Sequence, residues 1–261
     1  MPSTSRDRAL LIVELLARHV AGLPMSEIAD RLSIPRTAAH RLLGDLKEMG
    51  YVKQSATTSQ YSLTLRLASV GLSYLAACGI TDAAQPLLDQ LAEKTGELAR
   101  LAVLEGDHLT WVAKAQPTRF GLRYDPDSGA DVYLPATANG LALLAAFDDD
   151  RALGMIASQG MERVSQMGPG APKTMRELME RVTATRERGY GVVFDAYEAG
   201  TSAVAAVVSA KQNREPIGTV SIAGPSVRFT PERIEPLAKL VRECADEMAE
   251  VSASSAAFAR R

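Results

Sequence analysis

Two closely spaced helical segments near the start of the chain constrain its fold more than any other feature. Apolar residues recur at helical spacing over residues 26–32 and 36–49. Only residues 33–35 separate the two segments, and Pro35 suits a first helical turn because its missing N–H needs no partner there. The spacing predicts a helix-turn-helix whose second helix ends at Gly50.

The flanking segments extend this motif to a winged-helix domain. Residues 6–20 predict a preceding helix with two apolar stripes, and the second stripe indicates contact with another chain. Two extended pieces, 51–53 and 60–63, are separated by small polar residues, as in a surface hairpin. Three helices and a hairpin predict a winged helix-turn-helix domain at residues 1–63, followed by a linker helix at 64–80.

The rest of the chain alternates helical and extended segments. Gly106 and Asp107 form a two-residue connection typical of a β-hairpin. Hairpins flanked by helices predict an α+β fold with an antiparallel sheet over residues 81–252, followed by a tail at 253–261. The predicted strands are 98–104, 109–115, 120–124, 190–194, 203–209 and 217–223, and the predicted helices are 82–94, 138–147, 150–157, 173–188 and 230–251.

Composition excludes several classes of protein. Hydrophobic residues make up 46% and charged residues 23% of the chain, which is typical of globular proteins. No apolar run reaches the roughly 18 residues of a membrane span, and the N-terminus lacks the pattern of a secretion signal. We therefore expect a cytoplasmic protein with no membrane partner, in which Cys78 and Cys244 are reduced and buried on helix faces.

Positive charge is concentrated in the N-terminal part of the chain. Residues 1–80 contain nine Lys and Arg against six Asp and Glu, whereas residues 81–261 contain twenty against twenty-five. A recognition helix places its first turns nearest the base edges of the major groove. Arg36 and Arg41 can reach guanine or a phosphate there. We predict contacts to double-stranded operator DNA from Arg36, Thr37, Ala38, His40, Arg41 and, at the base of the wing, Lys53.

Ordinary solvated helix charges are the alternative for Arg36 and Arg41, but the adjoining turn, short helix and hairpin argue against it. Motifs for catalysis are absent, since the chain has no phosphate-binding loop, dinucleotide fingerprint or nucleophile elbow. Its three histidines are too scattered for a metal site, and its acidic clusters lie in loops or at helix starts, where carboxylates act as caps. We expect no enzyme activity, no metal and no cofactor.

A segment of small residues precedes the helix predicted at 138–147. Residues 134–140 read LPATANG, and free backbone N–H groups at a helix start could bind a carboxylate or another anion. Ala136, Ala138 and Gly140 would let a ligand approach the backbone closely. The alternative is a tight connection between strand and helix that binds nothing.

Several stretches together resemble the isocitrate lyase regulator (IclR) family of bacterial transcription factors, over residues 6–249. Residues 34–43, IPRTAAHRLL, followed by GYV at 50–52, are similar to the family's recognition helix and its entry to the wing. Three later stretches are similar to further family landmarks in the same order, namely PATANG at 135–140, RGYG at 188–191 and AGP at 223–225.

The resemblance implies a regulator of transcription, such as a repressor, whose winged helix is joined to an effector-binding domain similar to the GAF fold. It also implies assembly as a homodimer or homotetramer and control of operator binding by a small-molecule effector. Carried over by position, the effector pocket would contain Leu122, Tyr124, Val132, Ala138, Asn139, Val193, Ala203, Ser221 and Ala223.

The side chains at these positions indicate the kind of effector. In relatives that bind small keto acids several of the positions are polar, whereas Val193, Ala203 and Ala223 are apolar here. Because buried polar groups need partners, this lining predicts a larger effector, an aromatic acid or a derivative. Two alternatives remain open at this point: an enzyme acting on a small organic acid, and a DNA-binding protein that has no ligand.

Overall fold

The computed structural model describes residues 4–117 and 131–252, without the side chains of residues 80–82 and 252. The strand predicted at 120–124 lies outside the described residues and stays a prediction. Among the helices that the structure describes, none is by itself long and apolar enough to cross a membrane. One bent pair of successive helices, Arg66–Cys78 and Ala83–Thr95, reaches the required length and apolar composition when the two are taken together.

The chain forms two compact units, Met1–Ala77 and Cys78–Arg261. In the first unit three helices are followed by an antiparallel two-stranded hairpin, which is the arrangement of a winged helix-turn-helix. A fourth helix comes next along the chain. These elements are α1 (Ser5–Ala17), α2 (Met25–Arg31), α3 (Arg36–Glu48), β1 (Val52–Gln54), β2 (Tyr61–Leu63) and α4 (Arg66–Cys78).

The apolar positions of the three helices form the core of the first unit. Leu16 of α1, Ile28 of α2 and Leu43 of α3 are almost completely buried in one cluster. Helix α1 ends earlier than predicted because the chain turns there, with the Gly22 N–H donating to the His19 carbonyl at 2.8 Å. The periodicity therefore predicted the packed face correctly and the helix end poorly.

The second unit contains one five-stranded antiparallel sheet with helices on both faces. The elements, in chain order, are α5 (Ile80–Thr95), β3 (Leu98–Glu105), β4 (His108–Ala115), α6 (Ala138–Ala145), α7 (Asp149–Gln159), α8 (Met175–Arg188), β5 (Gly191–Phe194), β6 (Thr201–Ser209), β7 (Pro216–Pro225) and α9 (Pro231–Ser252). The strand order is β4-β3-β7-β6-β5, and this confirms the predicted α+β fold class.

The sheet separates two hydrophobic cores. On one face Leu101 and Val220 pack with α5 and α9. On the other face Leu104 and Trp111 pack with α6, α7 and α8. The alternation of side chains along the strands contributes residues to both cores, and the central strands β3 and β7 are buried on two sides.

Cys244, on α9, lies in the core that α5 and α9 form with the sheet, and it is 6% exposed. Both cysteines are free thiols and buried, as predicted. Burial raises the pKa of the Cys244 thiol to about 12, so the folded protein holds it protonated at pH 8, where a thiolate is needed for reaction. We expect Ellman's reagent to label Cys244 slowly in the native protein and fully in guanidinium chloride.

The same pKa shift has a consequence for stability at alkaline pH. Above about pH 9 the Cys244 thiol ionises in the unfolded chain but not in the folded one, so the free energy of unfolding falls as the pH rises from 9 towards 12. Comparison with Cys244→Ala isolates this contribution from other groups that titrate in the same range. An equal pH dependence in the two proteins would contradict it.

Candidate functional site

The first turns of α3 form an exposed polar surface on the first unit. Arg36, Thr37 and His40 are exposed, whereas Ala39 on the opposite side is completely buried. The turn before α3 contains Ser33 at φ 52°, a left-handed conformation uncommon outside glycine. This turn separates α2 from α3, as in a helix-turn-helix, and the first residues of α3 are exposed.

The two predicted arginines of α3 differ in their surroundings. Within the described part of the chain, Arg36 makes no hydrogen bond or ion pair. Arg41 donates from Nη2 to Ser5 Oγ at 2.8 Å and lies 3.6 Å from Asp45 Oδ2. Helical spacing indicates the Arg41–Asp45 pair, which is four residues apart, but not the contact with Ser5, which is distant in sequence. Arg36 is therefore the more available of the two for an external anion.

The wing contributes exposed groups beside this helix. Lys53 of β1 is exposed, and Gln54 Nε2 donates to the Ser59 carbonyl at 3.3 Å across the hairpin. The Arg66 guanidinium lies 5.2 Å from the centre of the Tyr51 ring at the entry to the wing. The structure thus places the predicted set Arg36, Thr37, Ala38, His40, Arg41 and Lys53 on the helix start and wing of the first unit.

A small cavity that opens to solvent lies in the second unit beside α6 and the sheet. Six of the nine predicted effector residues line it, namely Ala138, Asn139, Val193, Ala203, Ser221 and Ala223. Val132 is not among the lining residues; it is fully buried, and its N–H donates to the Leu109 carbonyl at 2.7 Å. Leu122 and Tyr124 lie outside the described residues.

Six further lining residues were not predicted: Arg100, Trp111, Thr137, Tyr197, Thr201 and Ser202. Of these six residues, Arg100 is the one that the sequence indicates most clearly, because it interrupts the otherwise apolar run of β3. Alternation along β3 places Arg100 on the face of the sheet that packs against α6. A charged residue inside a buried strand is a candidate for binding a ligand.

Arg100 is 3% exposed, and its guanidinium carbon lies 3.6 Å from the centre of the Trp111 ring. The Tyr197 ring meets Trp111 edge to face, with centroids 6.4 Å apart. The indole N–H of Trp111 is buried and has no hydrogen-bond partner among the described residues. The cavity therefore combines an aromatic wall with buried polar donors.

One of the backbone N–H groups at the start of α6 is engaged within the protein. Thr137 caps the helix, its Oγ1 accepting from the Gly140 N–H at 3.0 Å and donating to the Tyr133 carbonyl at 2.9 Å. Gly140 faces the backbone of Leu134, where a Cβ would overlap main-chain atoms. Gly140 is thus required for packing against the preceding 3₁₀ turn, whereas Ala138 does line the cavity.

Asn139 lines the cavity but is already engaged by the protein. Its Nδ2 donates to Thr219 Oγ1 at 2.8 Å, and both side chains are buried. Asn139→Leu leaves the Thr219 hydroxyl without this partner, and we expect a loss of about 1–3 kcal/mol in the free energy of unfolding.

A double-mutant cycle in urea checks this prediction. Thr219→Val alone strands the Asn139 amide and should also destabilise, whereas the double variant removes both polar groups and should recover part of the loss. Strictly additive effects of the two substitutions would show that the hydrogen bond does not couple them.

Hydroxyl groups at the far side of the cavity form a chain of hydrogen bonds. Ser202 Oγ lies 2.8 Å from Ser226 Oγ, and the Ser226 hydroxyl donates to Asp195 Oδ1 at 2.8 Å. Asp195 also accepts from the Gly200 N–H. This arrangement orders the loop after β5.

Metal ligands do not come together in the described residues, since no three His, Cys, Asp or Glu side chains form a group there. The acidic cluster at 148–150 has the predicted capping role, with Asp148 Oδ1 accepting from the Arg151 N–H at 2.8 Å. Asp125 and Asp127 lie outside the described residues.

A winged helix with an exposed cationic start to its third helix, together with a separate unit that encloses a cavity, defines the class of ligand-responsive DNA-binding transcriptional regulators. Two family models match the chain in agreement with this class. The IclR helix-turn-helix domain matches residues 5–56, and the bacterial transcriptional regulator IclR C-terminal domain matches residues 72–250. The chain belongs to the IclR family of bacterial transcriptional regulators, and the predicted resemblance is confirmed.

Individual relatives agree along nearly the whole chain. It is 25% identical to the transcriptional repressor IclR of Escherichia coli over 94% of its own length and 88% of the repressor's. An IclR transcriptional regulator from Alicyclobacillus acidocaldarius has a similar structure, with 25% identity, a TM-score of 0.81 and coverage of 95% and 98% of the two chains. An IclR homologue from Microbacterium hydrocarbonoxydans, solved with 4-hydroxybenzoate, is 20% identical, with a TM-score of 0.79 and coverage of 97% and 100%.

Proposed function

We propose that this regulator binds an aromatic carboxylic acid in the cavity of its second unit and that the bound acid changes its affinity for operator DNA. The observation that carries the proposal is the cavity wall, where Trp111 and Tyr197 meet edge to face beside the small apolar residues Val193, Ala203 and Ala223. Flat aromatic faces and few polar groups suit a planar, mostly apolar ligand. The relative solved with 4-hydroxybenzoate makes that compound the first probe.

The operator is contacted, in this proposal, by Arg36, Thr37, Ala38, His40 and Arg41 of α3 in the major groove and by Lys53 at the wing. The proposed functional division is a DNA-binding domain at 1–63, a linker helix at 64–80, an effector domain at 81–252 and a tail at 253–261. The protein acts in the cytoplasm, where its operator is.

Self-association as a homodimer or homotetramer is part of the proposal. Leu65, Leu72 and Tyr74, in and next to α4, are each more than 60% exposed, as is Leu10 of α1. Exposed large apolar side chains of this kind are typical of interaction surfaces. Light scattering coupled to gel filtration would show a mass of two or four chains; a single-chain mass at micromolar concentration would contradict this part.

Binding of the acid acts by a population shift. The acid must bind one conformation of the regulator more tightly than the other, and about 1–3 kcal/mol of coupling corresponds to 5–150-fold regulation of operator affinity. The acid is released from the cavity chemically unchanged, because the proposed role involves no turnover.

A gel-shift titration of the DNA upstream of the regulator's own gene tests the proposal. Operator affinity should change at least fivefold when 4-hydroxybenzoate, benzoate or phenylacetate saturates the cavity, and mass spectrometry should recover each acid intact. Binding of every acid in calorimetry without any change in operator affinity would contradict regulation by ligand. Conversion of an acid to a product would favour an enzyme.

A further inference from the structure

We propose that Arg100, stacked on Trp111, is the residue that selects the effector by charge: it binds the carboxylate, so the cavity takes aromatic acids and rejects their neutral analogues. This inference rests on the proposed function, because it concerns which group of the bound acid meets which residue. It adds a specificity-determining residue that neither sequence periodicity nor the family resemblance indicated.

Position in the sheet brings Arg100 to the floor of the cavity. Arg100 on β3 is directly opposite Ser221 on β7, and both line the cavity. Trp111 reaches the same place from β4 on the other side of β3. The arginine therefore has a lining residue on the strand at each side, and its position depends on the sheet rather than on a loop.

The charge of Arg100 is distinctive in this cavity. Among the twelve described residues that line it, Arg100 is the one that carries a full charge at neutral pH. A buried cation beside apolar walls attracts an anion strongly, since the local dielectric constant is low.

Arg100 lines the cavity and makes a cation–π contact with the ring of Trp111. The face of Arg100 contacts the Trp111 ring at 3.6 Å, whereas its five N–H donors lie in the guanidinium plane. Such a fork matches the two oxygens of a carboxylate, and an arginine with another contact still has donors to offer. The ring holds the plane fixed, which reduces the entropy lost on binding.

The indole N–H of Trp111 is a second donor for the bound acid. It is buried, and no described residue accepts a hydrogen bond from it. Buried donors are rarely left without a partner in native proteins. An oxygen of the effector would satisfy this group at the same time as Arg100 binds the carboxylate, which explains why the two side chains are held together.

Intrinsic fluorescence gives a direct test, because Trp111 is the only tryptophan of the chain. Titration of the full-length wild type with 4-hydroxybenzoate and with 4-hydroxybenzamide compares an anion with a neutral analogue of nearly the same shape. We expect the acid to bind at least tenfold more tightly than the amide. Equal affinities in the wild type would overturn the inference without any substitution being made.

Arg100→Met then tests the residue itself. The preference for the acid should fall below threefold, through weaker binding of the acid and little change for the amide, and Arg100→Lys should retain part of it. The matched control is Arg188→Met, because Arg188 also lies over an aromatic ring, at 5.3 Å from the Tyr190 centroid, but does not line the cavity. The control should keep the wild-type preference.

The outcomes separate this inference from the proposed function. An unchanged preference for the acid in a folded Arg100→Met, or an acid that binds the wild type no better than the amide, overturns the role of Arg100 while the cavity remains an effector site. Failure of 4-hydroxybenzoate, benzoate and phenylacetate all to bind the wild type overturns the proposed function, and the inference with it.

Discussion

Arg36→Ala should lower the affinity for the specific operator by roughly 5- to 150-fold, which corresponds to about 1–3 kcal/mol for an arginine that reads a base. Arg36 stands at the first position of α3, is exposed, and makes no hydrogen bond or ion pair within the described residues. The start of a recognition helix enters the major groove, so its guanidinium is free to bond two acceptors of a guanine. Gel shifts with operator and with scrambled DNA measure the effect.

Lys47→Ala is the matched control for this prediction. Lys47 lies on the same helix and is exposed, but it is in the last turn, away from the helix start that meets the bases. Removing it lowers the net charge equally and should change operator affinity less than threefold. Equal losses from the two substitutions, or an Arg36→Ala loss identical on operator and scrambled DNA, would show that Arg36 contacts a phosphate or acts only through net charge.

Arg41→Ala should have a smaller effect than Arg36→Ala in the same assay. Its guanidinium already binds Ser5 and lies near Asp45, and those contacts must be given up or shared when DNA binds. The ranking of the two arginines could not come from the sequence, in which both occupy exposed positions of the same predicted helix. It depends on a contact between residues 36 positions apart.

Local patterns predicted most of the elements of this fold. The periodicity of α3 fixed which leucines face the core, and the Gly106-Asp107 connection predicted the β3–β4 hairpin, because both depend on neighbours in the chain. The ends of helices were less predictable, as α1 shows. The order of strands in the sheet, in which β7 lies between β3 and β6, is set by packing over long sequence distances.

The residues that line the cavity were also predicted only in part. Resemblance to the family placed six residues at one cavity that the structure also brings together, among them Asn139 and Ser221. It missed Arg100 and Trp111, whose contact joins two strands across a β-bulge between Leu101 and Ala102. Alternation places Arg100 on the same face of β3 as Ala102, which pairs with Trp111. The close contact of the two side chains depends on the local geometry at the bulge, which the sequence does not show.

Gly140→Ala should destabilise the second unit by about 3 kcal/mol and weaken effector binding at the same time. Gly140 lies in the first turn of α6, and a Cβ there would overlap the oxygen, Cα and carbonyl carbon of Leu134. Main-chain atoms cannot rotate away as the end of a side chain can, so α6 or the 3₁₀ turn must shift, and overpacking of this kind is destabilising. Because Ala138 and Asn139 line the cavity from the same turn, the shift also changes its shape.

Gly154→Ala is the opposite case and serves as the control. Gly154 is an exposed position inside α7, and a Cβ there would meet nothing within 4 Å. Alanine favours the helix, so this variant should be more stable than the wild type by about 0.5–1 kcal/mol. Urea unfolding followed by Trp111 fluorescence reports the second unit in both variants, because the chain has one tryptophan. A Gly140→Ala protein as stable as the wild type would show that α6 does not pack against Leu134 this closely, and the cavity described here would then be differently shaped.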